Sequence, residues 1–261
     1  MKEKIQKMRF SAANFPHLTK RRNTMYKAVI FDMDGTILNT IGDLTNAINY
    51  ALAEMGKKHD FPEEKVKLCF GCGIDADMEK ALAMEAGCPD EDLEYIGSSI
   101  PFSRYHFTKE DVQNLKSLFV PRYTAHCHEK TAPYEGIPEV LSALRKQGIL
   151  TAVASNKDDR DVQTLTRVLF PRLFDQAMGN HKEIRRKPAP DMVMAILKNL
   201  HVSPKEACYI GDSEVDMETA RNSGIPCISV DWGFRTRSFL LAHGADCIVS
   251  SPKELLPLLM K

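Results

Sequence analysis

No stretch of the 261-residue chain approaches the ~18 consecutive apolar residues that span a bilayer, and the N-terminal segment lacks the apolar run of a secretory signal. A membrane partner is therefore excluded from the reading, and a cytoplasmic location is expected. An excess of one charge is also missing. Lys+Arg and Asp+Glu stand at 35 each, so no global positive field would hold the chain on nucleic acid or an anionic surface. A disulfide framework is lacking too: the seven cysteines are odd in number and scattered from Cys69 to Cys247, which predicts reduced thiols. No internal repeat or low-complexity segment stands out. What remains, 43% hydrophobic and 27% charged, is ordinary globular usage in a chain long enough for one large domain or two modest ones.

Residues 1–24 carry seven Lys/Arg against the single acid Glu3, and read as a basic tail rather than a nucleic-acid arm, since no second basic patch accompanies them. From Lys27 the pattern changes. Ala28-Val29-Ile30-Phe31 is a short apolar run ending in an acid, as a strand buried on both faces requires. Similar runs recur at Ile149–Ala154, Ala207–Ile210, Ile225–Val230 and Cys247–Val249, with a weaker one at Phe174–Met178. Helical stripes lie between them: Ile137, Val140, Leu141 and Leu144; Val162, Leu165, Val168 and Leu169; Val193, Ile196, Leu197 and Leu200. Alternation of this kind predicts an α/β fold with a parallel sheet.

Residues 39–130 break the alternation, with the stripe Ile41, Leu44, Ile48, Leu52 and Met55 before Gly56, another through Ile74, Met78 and Leu82 before Gly87, and no convincing strand. An insertion of this size is too large for a loop and reads as a second, helical domain above the sheet. The expected division is a core of residues 25–38 and 131–261 around an inserted block of residues 39–130.

Polar residues collect where the strands end. The first strand runs into Asp32-Met33-Asp34-Gly35-Thr36, the second into Ser155-Asn156, and the fourth into Gly211-Asp212-Ser213 with Asp216 beyond. Lys187 opens the helix before the fourth strand. In an open α/β sheet such groups converge on one crevice at the carboxyl edge. Four carboxylates gathered there would raise one another's pKa values unless a cation sits among them. An all-oxygen set without His or Cys favours Mg²⁺, which binds one or two carboxylates plus phosphate oxygens.

Asp32-x-Asp34-Gly35-Thr36, Ser155, Lys187 and Gly211-Asp212-x-x-x-Asp216, in this order, resemble the four motifs of the haloacid dehalogenase (HAD) superfamily, and the helical insertion resembles a C1 cap. Tyr134-Glu135-Gly136-Ile137, Arg186-Lys187-Pro188-Ala189-Pro190-Asp191 and Trp232-Gly233-Phe234-Arg235 are similar to the phosphoglycolate phosphatase branch. The resemblance implies a Rossmann-like three-layer core and an Mg²⁺-dependent phosphomonoester hydrolase. It assigns Asp32 as nucleophile and Asp34 as general acid and base, and has Ser155, Asn156 and Lys187 hold the phosphoryl group. The metal falls to Asp32, Asp34 through its backbone carbonyl, and Asp212, with Asp216 behind them. The implied partner is a small phosphorylated metabolite, 2-phosphoglycolate first, and the chain is expected as a monomer or small homo-oligomer.

Other readings stay open. Pyrophosphate, a nucleoside monophosphate or a sugar phosphate would suit the same chemistry; a phosphonatase, a phosphomutase or a non-catalytic phosphate-binding regulator would suit the same fold. Gly71-Cys72-Gly73 between helices is either a substrate-facing specificity loop or a plain turn. Cys69-x-x-Cys72 and His126-Cys127-His128 are too far apart to make a strong zinc pattern and read as ordinary thiols and a polar helix end. Arg235 either orients the site or caps the following helix.

Overall fold

The computed structural model describes residues 26–260, so the basic segment 1–24 lies outside the described residues. Six parallel strands form the main sheet: β1 (Ala28–Phe31), β4 (Leu150–Asp158), β5 (Gln176–Asn180), β6 (Ala207–Gly211), β7 (Cys227–Val230) and β8 (Ile248–Val249). Their spatial order is β5-β4-β1-β6-β7-β8. The chain thus builds one half of the sheet outward from β1, returns, and builds the other half, which leaves a crevice where the direction reverses. Beside β1, Phe31 is level with Val153 of β4 and with Ile210 of β6. This register brings the residues that follow all three strands to one edge.

The sheet is covered on both faces because its side chains alternate. Val29 and Phe31 pack with Ile137, Val140, Leu141 and Leu144 of helix α6 (Ile137–Lys146) and with Val162 and Leu165 of α7 (Asp159–Leu169). Ala28 and Ile30 face the other way, onto Met192, Val193, Ile196 and Leu197 of α8 (Asp191–Asn199) and Ala220 of α9 (Glu214–Asn222). The result is the α/β/α three-layer arrangement expected from the alternating runs. The strand expected at Ile225–Val230 begins at Cys227, after Pro226, which has no N–H for the ladder. β4 outruns its expected end: its pairing with β5 breaks after Ala154 and resumes at Asp158, leaving Ser155–Lys157 in an irregularity that re-aims their side chains.

Between β1 and β4 lies a helical block: α1 (Ile41–Glu54), α2 (Glu63–Val66), α3 (Ile74–Glu85), α4 (Asp90–Leu93) and α5 (Lys109–His126). It has its own core, in which Leu44, Ile48, Leu52, Met78, Leu82, Leu115 and Phe119 meet. The 18-residue α5 buries only Val112, Leu115, Phe119 and Tyr123, a stripe one side chain wide, and contains Pro121, so its sequence lacks a clear apolar face. The chain enters and leaves the block through β2 (Leu38–Asn39) and β3 (Ala132–Pro133), an antiparallel pair too short to read from sequence. The Asp43 carboxylate, at the start of α1, accepts hydrogen bonds from the backbone N–H groups of Lys130 and Thr131 at 3.0 and 2.9 Å, and from the Thr131 hydroxyl at 2.8 Å, tying the two passages together. Among the described residues no helix is long and apolar enough to cross a membrane.

Candidate active site

Asp32 directly follows β1, and its backbone N–H donates to the Ile210 carbonyl of β6 at 2.9 Å, which holds the residue at the crevice. The chain then turns sharply. The N–H groups of Ile37 and Leu38 both donate to the Met33 carbonyl, and Gly35 sits at φ 80°, a left-handed conformation that favours glycine. A side chain there would also overlap the Asp212 carboxylate. The turn carries Asp34 to the crevice and brings Thr36 back beneath β6, where its hydroxyl donates to Asp212 Oδ1 at 3.1 Å.

Asp212, one residue past β6, accepts from the Phe234 N–H at 2.7 Å through Oδ2. Asp216 occupies the third position of α9 and closes a capping box with Ser213, accepting from its hydroxyl at 2.6 Å. Its other oxygen faces Lys187. The Lys187 ammonium is buried and lies 2.6 Å from Asp32 Oδ1, 2.8 Å from Asp216 Oδ1 and 3.0 Å from the Tyr209 hydroxyl. Asn156 grips the Lys187 backbone at both ends of its amide: Oδ1 accepts from the Lys187 N–H at 2.8 Å and Nδ2 donates to its carbonyl at 3.1 Å. Ser155 is buried beside it, and its hydroxyl accepts from the Lys157 N–H at 3.2 Å.

Crowding leaves its mark on the titration of these groups. Burial, the largest influence, pushes the Asp32 carboxyl well above the usual range, with Lys187 working against it and Asp216 and Asp212 with it. Burial and then the charge of Asp216 push Asp212 up to about 7. For Lys187, burial opposes the charge, but Asp216 and Asp32 together outweigh it and hold the ammonium well above the ordinary lysine range. Carboxylate oxygens of Asp32, Asp212 and Asp216 all lie within 4.8 Å of one another. Asp34 Oδ1 is buried without a hydrogen-bond partner. Uncompensated negative charge, oxygen-only donors and an unpartnered buried acceptor fit a hard divalent cation.

Above this edge a cavity of roughly 580 Å³ separates the sheet from the helical block. Asp32, Asp34, Ser155, Asn156 and Lys187 line its floor; Phe70, Ile74, Phe119 and Tyr123 line its roof with Gly71 and Gly73. The Phe119 and Tyr123 rings stack in parallel, 5.6 Å apart. Lys157 links floor to roof. Its ammonium lies 3.2 Å from Asp34 Oδ2 and donates to the Tyr123 hydroxyl of α5 at 2.7 Å.

Comparison with known proteins agrees with this geometry. The sequence model of the haloacid dehalogenase-like hydrolases matches residues 29–230. The chain belongs to this family. Among solved structures, a provisionally named phosphoglycolate phosphatase of Lactobacillus delbrueckii subsp. bulgaricus is 45% identical and superposes with a TM-score of 0.85, over 90% of this chain and 99% of that one. The N-acetylmuramic acid 6-phosphate phosphatase of Pseudomonas aeruginosa is 29% identical over 89% of this chain and 94% of its own length. The phosphoglycolate phosphatase of Mannheimia succiniciproducens is 28% identical over 90% of this chain and 98% of its own.

Of the motif residues of this haloacid dehalogenase-like hydrolase, Asp32, Lys187, Asp212 and Asp216 meet in one buried cluster, with Asp34, Ser155 and Asn156 beside it. Gly71 and Gly73 face the cavity. Cys72 turns away, its sulfur 3.0 Å from Arg235 Nη2 and 3.3 Å from Glu214 Oε1. Among the described residues the acid cluster is the sole candidate metal group, and His126 instead pairs with Glu129 and Arg122. Sequence reasoning passed over Lys157, Tyr209 and Tyr123. Lys157 had a legible signal, as the residue after Ser155-Asn156 at a strand end; the other two sit in ordinary strand and helix text.

Proposed function

We propose that the chain is an Mg²⁺-dependent phosphomonoester hydrolase that works through an aspartyl-phosphate on Asp32, and that 2-phosphoglycolate is its substrate. The observation that carries this reading is the pairing of Asp32 with Lys187 at 2.6 Å on the floor of the cavity between sheet and helices. It supplies a carboxylate nucleophile with a fixed cation at the point where phosphoryl charge must be met. The names of the relatives support the phosphate ester, and two of the three above carry the name phosphoglycolate phosphatase, which supports 2-phosphoglycolate.

In the first step an Asp32 carboxylate oxygen bonds to phosphorus, the ester P–O bond breaks, and the departing alkoxide takes a proton from Asp34. In the second, Asp34 takes a proton from water, the water oxygen bonds to phosphorus, and the bond to Asp32 breaks, releasing inorganic phosphate. Lys187 and the Ser155 hydroxyl hold the phosphoryl oxygens in both steps, and Asn156 keeps the Lys187 backbone in place. The carboxylates of Asp32 and Asp212 with the Asp34 carbonyl would hold Mg²⁺, with Asp216 behind them, and a bound ion would supply charge to offset that on the nucleophile and the phosphoryl oxygens. Residues 39–130 act as the cap over the core of residues 25–38 and 131–261, excluding water and reading the leaving group. The cavity is shaped by core and cap together, and the chain acts as a monomer or small homo-oligomer.

Phosphate release from 2-phosphoglycolate tests the reading. Asp32→Asn should lower kcat at least about 10³-fold with the fold intact, since the amide keeps the size and removes the nucleophile. EDTA should stop turnover and Mg²⁺ restore it. Turnover by the Asn variant, or in chelator, would overturn the assignment.

A further inference from the structure

Residues Phe234–Thr236 follow β7 in the sheet domain, yet each of them engages the helical block. The Phe234 ring is buried in the core of the helices, although its backbone N–H donates to Asp212 Oδ2 at 2.7 Å. Arg235, though a surface residue type, is fully buried. Its Nε lies 2.9 Å from Glu214 Oε2, an ion pair within the core domain. Its two other nitrogens reach into the block, Nη1 donating to the Phe70 carbonyl at 2.8 Å and Nη2 to the Cys72 sulfur at 3.0 Å. Thr236 makes a second junction. Its N–H and hydroxyl donate to the two Glu94 carboxylate oxygens at 3.0 and 3.1 Å.

The Arg235 junction holds the loop that roofs the cavity. Phe70 and Gly71 line the cavity next to the Arg235 guanidinium, and Gly71, at φ 108°, keeps its backbone close to that guanidinium, where a side chain would touch Nη2. A planar guanidinium meets a carboxylate, a carbonyl and a sulfur at once; a lysine ammonium in its place meets only the carboxylate. Arg235 is therefore shaped for registering one domain on the other.

Resting on the reading of residues 39–130 as a cap, we propose that Arg235 is a positioning residue for substrate choice: with Thr236 it docks the cap loop 70–73 onto the core through the same short segment that hydrogen-bonds Asp212. An undocked cap leaves the phosphoryl-transfer groups in place but removes the wall that contacts the leaving group. The loss should fall on esters whose alcohol presents a charged group to the roof, as the carboxylate of 2-phosphoglycolate does, and spare an acyl phosphate, whose activated, uncharged acyl group depends least on that wall.

The test compares kcat/KM for 2-phosphoglycolate with that for acetyl phosphate, in the full chain with Mg²⁺. Arg235→Lys keeps a cation beside Glu214 and so preserves folding. It should lower the 2-phosphoglycolate value about tenfold, mostly through KM, while acetyl phosphate changes less than about twofold. Glu94→Ala, made on the cap side and leaving Arg235 intact, should move the same ratio in the same direction. A spin-label pair, one on α5 and one on α8, should report a longer and broader cap-to-core distance in both variants. Equal losses on both substrates, or an unchanged ratio with an unchanged distance, would overturn the proposal. A wild-type chain that hydrolyses neither compound would instead overturn the phosphatase reading itself.

Discussion

At the carboxyl edge of the sheet nearly every polar group has a charged or hydrogen-bonded partner within about 3 Å, as in the chain Tyr209–Lys187–Asp32 and Asp216–Ser213. Across the cavity the wall is built mainly from apolar side chains, Phe70, Ile74, Phe119 and Val120, set on helices that pack by shape rather than by charge. Directional, buried bonds tolerate almost no displacement, whereas a hydrophobic wall accepts exchange of similar volumes. The comparison teaches that the floor is fixed by directional charged pairs, whereas most of the roof is held by shape and can exchange side chains of similar volume without breaking those pairs.

The largest effect should come from breaking the floor. Lys187→Met leaves Asp32 and Asp216 buried beside each other without their cation. It should lower kcat/KM by about 10² to 10³ and, in Mg²⁺-free buffer, destabilise the chain by about 3–5 kcal/mol. Steady-state rates and chemical denaturation check both. A variant of near wild-type stability would mean the carboxylates do not depend on this lysine.

A smaller effect belongs to the one buried acid that the roof does contain. Burial of Asp77 on α3 pushes its carboxyl up to about 7, against the hydrogen bond from the Cys72 N–H and the charges of Lys80 and Arg235. Because the folded state holds this proton more tightly than the unfolded chain, its contribution is complete at acid pH and is lost as pH rises from about 4 towards 7. Denaturation of wild type should therefore become easier across that window by on the order of 2 kcal/mol. Asp77→Asn should flatten the slope, and an identical slope in the variant would assign it to other groups. The smallest effect should follow Phe119→Leu in the roof, at about 1 kcal/mol in the same denaturation assay. A loss as large as that from Lys187→Met would erase the distinction between the two walls.

The strands carrying Asp32 and Asp212 were legible because each strand buried on both faces must be apolar throughout, so a polar residue at its end stands out. The stripes of α1, α6 and α8 were legible for the corresponding reason at a 3.6-residue period. α5 was not delimited, because its narrow apolar stripe and internal Pro121 blur that period. The β2–β3 pair escaped for want of length. Asn156 shows the limit at a single residue: the hold of its amide on the Lys187 backbone is a partnership across 31 positions with no local trace.

Sequence by itself thus determined the parallel α/β sheet, the helical insertion and the acids at the strand ends, all of them consequences of hydrophobic periodicity and its interruptions along the chain. Only the tertiary structure decided that Lys187 lies between Asp32 and Asp216, that Lys157 bridges Asp34 to Tyr123, and that Arg235 links Glu214 of the sheet half to Phe70 of the helical block. Such pairings depend on strand order and on how two domains meet, distances set by packing between segments far apart in the chain, and neither leaves a period in the sequence.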